Sequence, residues 1–286
     1  MSTCCFPRRD VWLLNMEKKN VLVTGAVGGM GSAVCKRLSE EGYNVIGFDR
    51  ALPEYSEGED SCRIDHYAVD LCSEEAVAEA YDAVRERYGK ISCIVHLAGM
   101  YDLGSLVEMD GERLKRIFEV NFLAVCRINR QFLPILEEEG RIVITSSELA
   151  PLDPLPFTGL YGITKTAVEK YAFSLRMELN ILGYKVSVLR PGAVRTGMIG
   201  ASTDRLREFC SGTGLYSCNA QRFRKIVDSV ETKNIPPEKI AKKVSRILSA
   251  KRPKYIYNVN RNSLLRLLSA LPDRLQTGII SLILKK

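Results

Sequence analysis

Short apolar runs of strand length alternate along the chain with longer segments in which apolar residues recur at helical spacing. The runs are NVLVTG (20–25), YNVIGFD (43–49), HYAVD (66–70), ISCIVHLAG (91–99), RIVITSS (141–147), KVSVLRPG (185–192) and KYIYNV (254–259). Ser73, followed by two glutamates, predicts the start of a helix that ends at Gly89. Seven strands separated by helices predict an α/β fold, a doubly wound parallel sheet in three αβα layers and one domain.

Three segments depart from this rhythm and set the predicted boundaries. Residues 1–17 are an N-terminal extension or the result of a misassigned start, because MEKKNVLVTG at Met16 is a natural beginning for the domain at 18–260. Within the domain, residues 197–234 form a long polar insertion, which is typical of a lid over a site. Residues 261–286 form a basic amphipathic tail of two short helices broken at Pro272.

Composition and charge narrow the class of protein. Apolar residues make up 46% and charged residues 26% of the 286 residues, as in soluble globular proteins. Nine cysteines without C-x-x-C pairs, and no secretory signal, predict a reduced, cytoplasmic protein without a metal site. From Pro236 onwards, 12 Lys/Arg stand against 2 Asp/Glu. The tail therefore has two open interpretations, packing on its own domain or a partner subunit, or peripheral contact with a membrane.

A glycine-rich segment after the first strand is typical of a dinucleotide site. In TGAVGGMG (24–31), Gly25, Gly29 and Gly31 let the backbone approach a pyrophosphate at a helix N-terminus. Asp49 ends the second strand, where a carboxylate accepts ribose hydroxyls and repels a 2′-phosphate. This favours NAD over NADP, although the neighbouring Arg50 is a counter-argument because its guanidinium can reach a phosphate.

A tyrosine and a lysine stand one helical turn apart in YGITK. Tyr161 and Lys165 are either an accidental surface pair or a proton-transfer pair. Six ordered motifs decide between these interpretations, listed as T-G-x-x-x-G-x-G at 24–31, Asp49, Asp70-Leu71, Asn121, Ser147 with Tyr161-x-x-x-Lys165, and P-G-x-V-x-T at 191–196. In these motifs the chain resembles the short-chain dehydrogenase/reductase family, whose fold is Rossmann-type.

The resemblance implies a role for each matching residue. Tyr161 is expected to be the general acid or base, with its phenolate favoured by Lys165. Ser147 is expected to hold the substrate oxygen, and Asn121 to bend its helix and hold a relay water. The expected cofactor contacts are Thr24, Gly25, Gly29, Met30, Gly31, Asp49, Arg50, Asp70, Leu71, Ala98, Gly99, Tyr161, Lys165, Pro191, Gly192, Val194 and Thr196.

Two departures from the family pattern leave alternatives. The interval from Ser147 to Tyr161 is one residue longer than usual and contains three prolines, so Ser146 competes for the role of the catalytic hydroxyl. His96 stands in HLAG where the family more often has N-N-A-G. We interpret His96 as a structural residue that supports the end of its strand.

The function predicted from these residues is NAD-dependent interconversion of a secondary alcohol and a ketone, on a hydrophobic, hydroxysteroid-like substrate. This substrate class is predicted from the apolar residues of the lid, which are Met198, Ile199, Leu206, Phe209, Leu215 and Tyr216. The alternatives are an NADPH-dependent 3-oxoacyl or other carbonyl reductase, and a non-catalytic dinucleotide sensor or scaffold. The resemblance implies a homodimer or homotetramer. Nucleic-acid binding is not expected, since the basic residues lack interleaved stacking aromatics.

Overall fold

Seven parallel strands form one sheet in the computed structural model, which describes residues 19–53, 64–153, 155–231 and 233–285. The strands are β1 Asn20–Thr24, β2 Asn44–Asp49, β3 Ile64–Ala68, β4 Ile91–His96, β5 Leu136–Thr145, β6 Lys185–Pro191 and β7 Ile256–Val259. Their order is β3-β2-β1-β4-β5-β6-β7, so the chain moves outwards from β1 and then returns to its other side. This topology confirms the predicted doubly wound, Rossmann-type sheet.

Helices cover both faces of this sheet. They are α1 Gly29–Glu40, α2 Glu74–Tyr88, α3 Gly111–Phe118, α4 Ala124–Phe132, α5 Gly159–Ile181, α6 Gly197–Gly212, α7 Ser217–Glu231, α8 Glu238–Ser249, α9 Ser263–Ser269 and α10 Asp273–Leu284. On one face α1 and α8 pack together against the sheet, and on the other α2, α4 and α5 do so. The three layers are those predicted from the alternating strands and helices.

The apolar strands are continuous because both sides of the sheet are buried. Leu22 of β1 belongs to the core beneath α2, α4 and α5, whereas Val21 and Val23 belong to the core beneath α1 and α8. Successive side chains of a strand point to opposite faces, so every position in such a strand must be apolar. This explains why the runs in the sequence lack polar alternation.

Some predicted boundaries are corrected by the structure. β5 begins at Leu136, five residues before the predicted start, and its pairing with β4 shifts register between Leu136 and Arg141. Glu139, at φ 60, lies within that irregular stretch, which explains why the sequence pattern does not reveal it. The predicted helix at 73–88 is observed as α2, with Ser73 accepting from Ala76 N and Gly89 ending it at φ 69.

The insertion and the tail both contain regular structure. The insertion predicted as a polar lid consists mainly of α6 and α7, and the tail consists of α9 and α10, separated at Pro272 as predicted. The tail packs on its own domain, where Ile280 and Leu284 join an apolar cluster with Phe223 of α7. Among the described helices, none combines the length and the hydropathy needed to cross a bilayer. The N-terminal extension, residues 1–17, lies outside the described residues.

Candidate active site

The glycine-rich turn after β1 is held tightly against neighbouring backbone. Gly25 has a φ of +72, and a Cβ at this position would lie 2.6 Å from Ala98 N. A Cβ at Gly31 would lie 1.8 Å from the carbonyl oxygen of Gly25, so the turn has no room for a side chain there. Helix α1 begins at Gly29 without a side-chain cap, which leaves its first-turn amides for a ligand. These features fit the pyrophosphate of a dinucleotide.

Asp49 lies at the carboxyl end of β2, beside this turn. Its Oδ2 accepts a hydrogen bond from Val27 N at 2.9 Å, and its Oδ1 accepts one from Arg50 N at 2.8 Å. The carboxylate is therefore held in place by the glycine-rich loop, next to the expected position of an adenosine ribose. Arg50 follows Asp49 directly and is exposed to solvent.

Three other predicted cofactor contacts lie at or after the ends of β1 and β3. β3 ends at Ala68, so Asp70 lies in the following loop, where its Oδ1 accepts from Cys72 N at 3.0 Å. The side chain of Leu71 packs into the core, and its carbonyl accepts from Arg127. Thr24 ends β1, and its hydroxyl accepts a hydrogen bond from Ala98 N at 3.4 Å. The structure thus places the Leu71 side chain in the core and leaves Asp70 in the loop after β3.

A cleft of about 1190 Å³, partly open to solvent, lies over the carboxyl ends of β4, β5 and β6. Nine of the predicted site residues line it: Met30, Gly99, Ser147, Tyr161, Lys165, Pro191, Gly192, Val194 and Thr196. Thr196 caps α6 and lies against the glycine-rich turn, since a Cβ at Gly29 would lie 2.8 Å from Thr196 Cβ. The structure thus brings the two distant halves of the predicted site together.

Ser147 and Tyr161 are joined by a side-chain hydrogen bond at the floor of the cleft. The Ser147 hydroxyl also accepts from Leu149 N at 3.2 Å. Ser146 points elsewhere, because its hydroxyl donates to Lys165 O and to Glu169 Oε1 at 2.8 Å. Of the two serines, Ser147 alone shares a hydrogen bond with Tyr161, which favours Ser147 over Ser146 as the candidate hydroxyl.

Burial shifts the pKa values of the tyrosine and the lysine in opposite directions. It raises the pKa of Tyr161 to about 12, and the hydrogen bond with Ser147 opposes that rise. It lowers the pKa of Lys165 to about 8. The Lys165 ammonium lies 5.8 Å from the centroid of the Tyr161 ring. The resemblance implies that Lys165 favours the phenolate of Tyr161, and the burial of both groups opposes that effect.

Asn121 lies in a π-helical turn, Glu119–Leu123, between α3 and α4. Its side chain accepts from Met100 N at 2.8 Å and donates to Met100 O and to Thr164 Oγ1. A Cβ at Gly99 would lie 3.2 Å from Asn121 Oδ1 and 3.3 Å from Lys165 Nζ, so the amide and the ammonium face the same narrow gap. The local irregularity of the helix agrees with the predicted bend. Lys165 itself donates to Thr145 O at 3.2 Å.

His96 is buried behind the cleft at the end of β4. Its Nε2 is 2.9 Å from Asn129 Oδ1, and burial lowers the pKa of His96 to about 4. The imidazole is therefore neutral near pH 7 and lies in a hydrogen-bonded structural position, in keeping with its predicted role.

The wall of the cleft and the aromatic cluster behind it contain residues that the sequence pattern does not predict. Phe157, in the proline-rich loop, packs against Phe209 of α6 and Phe223 of α7 with ring centroids 4.6 and 5.1 Å apart. Leu265 of the tail also lines the cleft. Of the apolar residues predicted to face the substrate, Leu206 and Phe209 instead join the cluster behind the wall, and Leu215 is exposed. Helical spacing of Phe223 and Val227 was the available signal for this wall.

Glu148, next to Ser147, was also missed. It is buried, lines the cleft, and its Oε2 accepts from Asn262 N at 2.5 Å, just before α9. Burial raises the pKa of this carboxyl. Among the described residues, no group of three or more His, Cys, Asp or Glu side chains could hold a metal ion.

The comparisons with known proteins agree on one family. A family model described as short chain dehydrogenase matches residues 19–207. A 3-ketodihydrosphingosine reductase of Bacteroides thetaiotaomicron is 26% identical over 84% of this chain and 87% of its own. An NADPH-dependent 3-dehydrocapnine reductase of Ornithobacterium rhinotracheale is 28% identical over 93% and 97%. The estradiol 17-beta-dehydrogenase 2 of Mus musculus is 31% identical over 70% of this chain but only 56% of that enzyme.

A solved structure agrees with the fold. The short-chain dehydrogenase of Streptomyces avermitilis superposes with a TM-score of 0.71 at 23% identity, and the match covers 94% of each chain.

Proposed function

This chain belongs to the short-chain dehydrogenase family, and we propose that it interconverts a secondary alcohol and a ketone on an apolar substrate, with NAD as its cofactor. An oxidoreductase of this family acts on carbonyl and hydroxyl groups. The observation that carries the proposal is the hydrogen-bonded Ser147–Tyr161 pair, with Lys165 beside it, at the floor of a cleft with apolar walls.

A bound nicotinamide dinucleotide would supply or accept the hydride. In ketone reduction, the Ser147 hydroxyl orients the substrate oxygen by a hydrogen bond, and the Tyr161 hydroxyl donates its proton to that oxygen. Lys165 stabilises the phenolate that remains, because its ammonium lies 5.8 Å from the ring centroid. Asn121 positions Met100 and the gap beside Lys165, and Thr196 and Asp49 are assigned to hold the cofactor. These residues argue against a sensor that has lost turnover.

The raised pKa of Tyr161 favours one direction of the reaction. A phenol whose pKa is about 12 keeps its proton near pH 7, so the form present is the one that can donate to a ketone oxygen and not the one that accepts a proton from an alcohol. Reduction of a ketone is therefore the direction that the described site supports better at neutral pH. Oxidation of the alcohol becomes easier as the pH rises and the phenolate becomes more accessible.

The walls of the cleft support an apolar substrate. They are lined largely by Leu97, Met100, Tyr101, Leu149, Leu155, Met198, Phe223, Ile226, Val227 and Leu265. A ligand that buries apolar surface there gains about 25 cal/mol per Å², whereas a polyol would lose hydrogen bonds to water. Two of the relatives are named for estradiol and for 3-ketodihydrosphingosine. They support either a hydroxysteroid-like or a long-chain substrate for this cleft.

The fixed Asp49 carboxylate supports NAD, because it would repel a 2′-phosphate at the end of β2. NADPH is the second candidate, and two observations favour it. Arg50 is exposed beside Asp49, and one relative is named as NADPH-dependent. With NADPH, the proposal becomes a carbonyl reductase of an acyl or other apolar ketone.

A fluorescence titration with NADH and NADPH separates the two cofactors. The matched variants are Asp49→Asn, which keeps an acceptor for Val27 N but removes the charge, and Arg50→Gln. We expect tighter binding of NADH to the unchanged protein and a shift towards NADPH in Asp49→Asn. Tighter binding of NADPH that weakens in Arg50→Gln would make the second candidate correct.

Turnover with the preferred cofactor then tests the substrate class. Steroidal and long-chain secondary alcohols and ketones should react, small polyols and sugars should not, and Tyr161→Phe should lose about 10² to 10⁴ in kcat while still binding cofactor. Turnover of polyols alone would refute the apolar substrate. A Tyr161→Phe variant as active as the unchanged protein would refute the assigned chemistry.

The outer face of α5 supports self-association. Phe173, Met177 and Ile181 recur at one-turn spacing and are 53, 60 and 84% exposed. An isologous pair through this stripe would bury the apolar side chains, so we propose a homodimer. Light scattering should give the mass of two chains, and Met177→Glu should reduce it to one.

A further inference from the structure

The tail closes the substrate cleft on one side. Leu265 of α9 lines the cleft, while Asn262 N, just before α9, donates to Glu148 Oε2 beside Ser147. Further along, Gln276 Nε2 donates to Asp153 Oδ2 at 2.8 Å, in the loop that leads to Tyr161. Asn219 Nδ2 of α7 donates to Leu284 O at 2.7 Å. The two tail helices are thus bonded to both the catalytic loop and the lid.

The opposite side of α10 carries an apolar stripe. Leu275, Ile279, Leu282 and Ile283 follow one helical face at spacings of four, seven and eight residues. Leu275 is 55%, Leu282 82% and Ile283 50% exposed, whereas Gln276 and Leu284 on the other face are buried. These four outward residues are called the tail stripe below. The inward face of α10 supports the lid, and the tail stripe contacts nothing in the described part of this chain that buries it.

The charged residues beside the tail stripe indicate what kind of surface covers it. Arg274 and Lys285 flank it, and residues 261–286 hold five Lys/Arg and one Asp. A second copy paired through this face about a two-fold axis would bring like charges together, which opposes association. An anionic lipid surface accepts both parts of this pattern, since it takes aliphatic side chains at the acyl boundary and attracts the flanking cations.

We propose that the tail stripe docks the protein on an anionic lipid bilayer, with α10 lying in the interface and the cleft behind α9 facing the membrane. The proposal rests on the proposed function in one respect, since it makes the apolar substrate a lipid that enters from the bilayer. The tail also reaches the chemistry, since Leu265 of α9 lines the same cleft as Ser147 and Tyr161.

Vesicle sedimentation with the full chain tests the docking directly. The probes are vesicles of phosphatidylcholine alone and of phosphatidylcholine mixed with phosphatidylserine. The test variants are Leu275→Ser with Leu282→Ser and Ile283→Ser, and separately Arg274→Glu with Lys285→Glu. The matched control places Ser at Val107, Leu114 and Leu123, which are 74, 41 and 43% exposed, so that it removes apolar surface away from both the tail stripe and the stripe of α5.

We expect the unchanged protein to sediment with phosphatidylserine vesicles, and high salt to release it. The tail-stripe variant should lose this binding, and the charge variant should lose affinity by about fivefold or more for each charge removed. The control variant should bind like the unchanged protein. No sedimentation at low salt, equal loss in the control variant, or a tail-stripe variant that changes oligomeric state but still binds vesicles would overturn the proposal.

The test separates this proposal from the proposed function because vesicle binding needs no turnover. Nucleotide titration and turnover of a small, water-soluble ketone should be the same in the tail-stripe variant and the unchanged protein, which also shows that the variant is folded. Only the KM for a long-chain ketone presented in phosphatidylserine vesicles should rise. An equal rise with the soluble ketone would point to a distorted cleft and would contradict docking as the cause.

Discussion

Replacing Lys165 by methionine should stabilise the folded protein while it removes activity. Lys165 is 5% exposed, and burial lowers its pKa from 10.5 to about 8. At about 1.36 kcal/mol for each pKa unit, keeping this charge in the folded state costs on the order of 3 kcal/mol. Methionine loses the hydrogen bond to Thr145 O, which contributes roughly 1 kcal/mol. The expected net gain in free energy of unfolding is about 2 kcal/mol near pH 7.

The gain should depend on pH in a defined way. Below the folded pKa of about 8, Lys165 is charged in both states and the full cost of burial is present. Between about 8 and 10.5, the unfolded chain keeps a proton that the folded protein has lost, so the stability of the unchanged protein rises with pH. Above 10.5, the amine is neutral in both states and the cost has disappeared. The advantage of Lys165→Met should therefore be largest near neutral pH and vanish in strong alkali.

Urea unfolding at neutral and alkaline pH measures this difference. Lys170→Met is the matched control, because it makes the same chemical change on the same helix at an exposed position. We expect the control to change stability little at any pH and to retain activity. A Lys165→Met variant that is less stable than the unchanged protein at pH 7, or a stability difference that stays constant with pH, would refute the burial argument.

Three other changes test the buried charges and the tight turn. Arg113→Leu leaves the fully buried carboxylate of Asp102 without its ion-pair partner, so chemical denaturation should show a loss of about 3–5 kcal/mol, largely recovered when Asp102→Asn is added. Gly31→Ala places a Cβ 1.8 Å from a backbone oxygen, so it should destabilise the protein by about 1–3 kcal/mol and weaken NADH binding in a fluorescence titration. Gly212→Ala adds its Cβ in open space and should do neither. Because burial raises the pKa of Glu148, the folded state favours the protonated acid and loses stability as the pH rises through the carboxyl range; Glu148→Gln should therefore unfold at a higher temperature than the unchanged protein near pH 7, with a smaller difference in acid.

Local patterns in the sequence predicted the parts of the fold that local rules determine. The apolar runs predicted seven strands because both faces of the sheet are buried, and Ser73 and Gly89 predicted both ends of α2 because caps act within one turn. The start of β5 escaped prediction since its irregular residues around Glu139 pair with β4 only through the tertiary register. The helices of the lid were read as a polar insertion because their apolar positions are few and serve one aromatic cluster.

The candidate site, like the fold, was predictable only in part. The ordered motifs predicted Ser147, Tyr161, Lys165 and the glycine turn as site residues, and nine of the predicted residues meet in the cleft. Leu265 was not predicted, because only the three-dimensional path of the tail brings a residue so far along the chain to the cleft. The direction of the Tyr161 pKa was also beyond the sequence, since burial is a property of the surroundings and here it outweighs a favourable neighbour.

The opposite pKa shifts of Tyr161 and Lys165 have one consequence for the chemistry. Burial favours the neutral form of each group, whereas a phenolate and an ammonium in the same buried site stabilise each other because their charges are opposite. In the proposed reduction, the negative charge that forms when Tyr161 gives up its proton stabilises the ammonium, which lies 5.8 Å from the ring centroid, and raises the affinity of Lys165 for its proton. The charge on Lys165 therefore matters most when the proton is transferred. The same burial that makes this charge costly in the resting protein also strengthens its attraction for the phenolate.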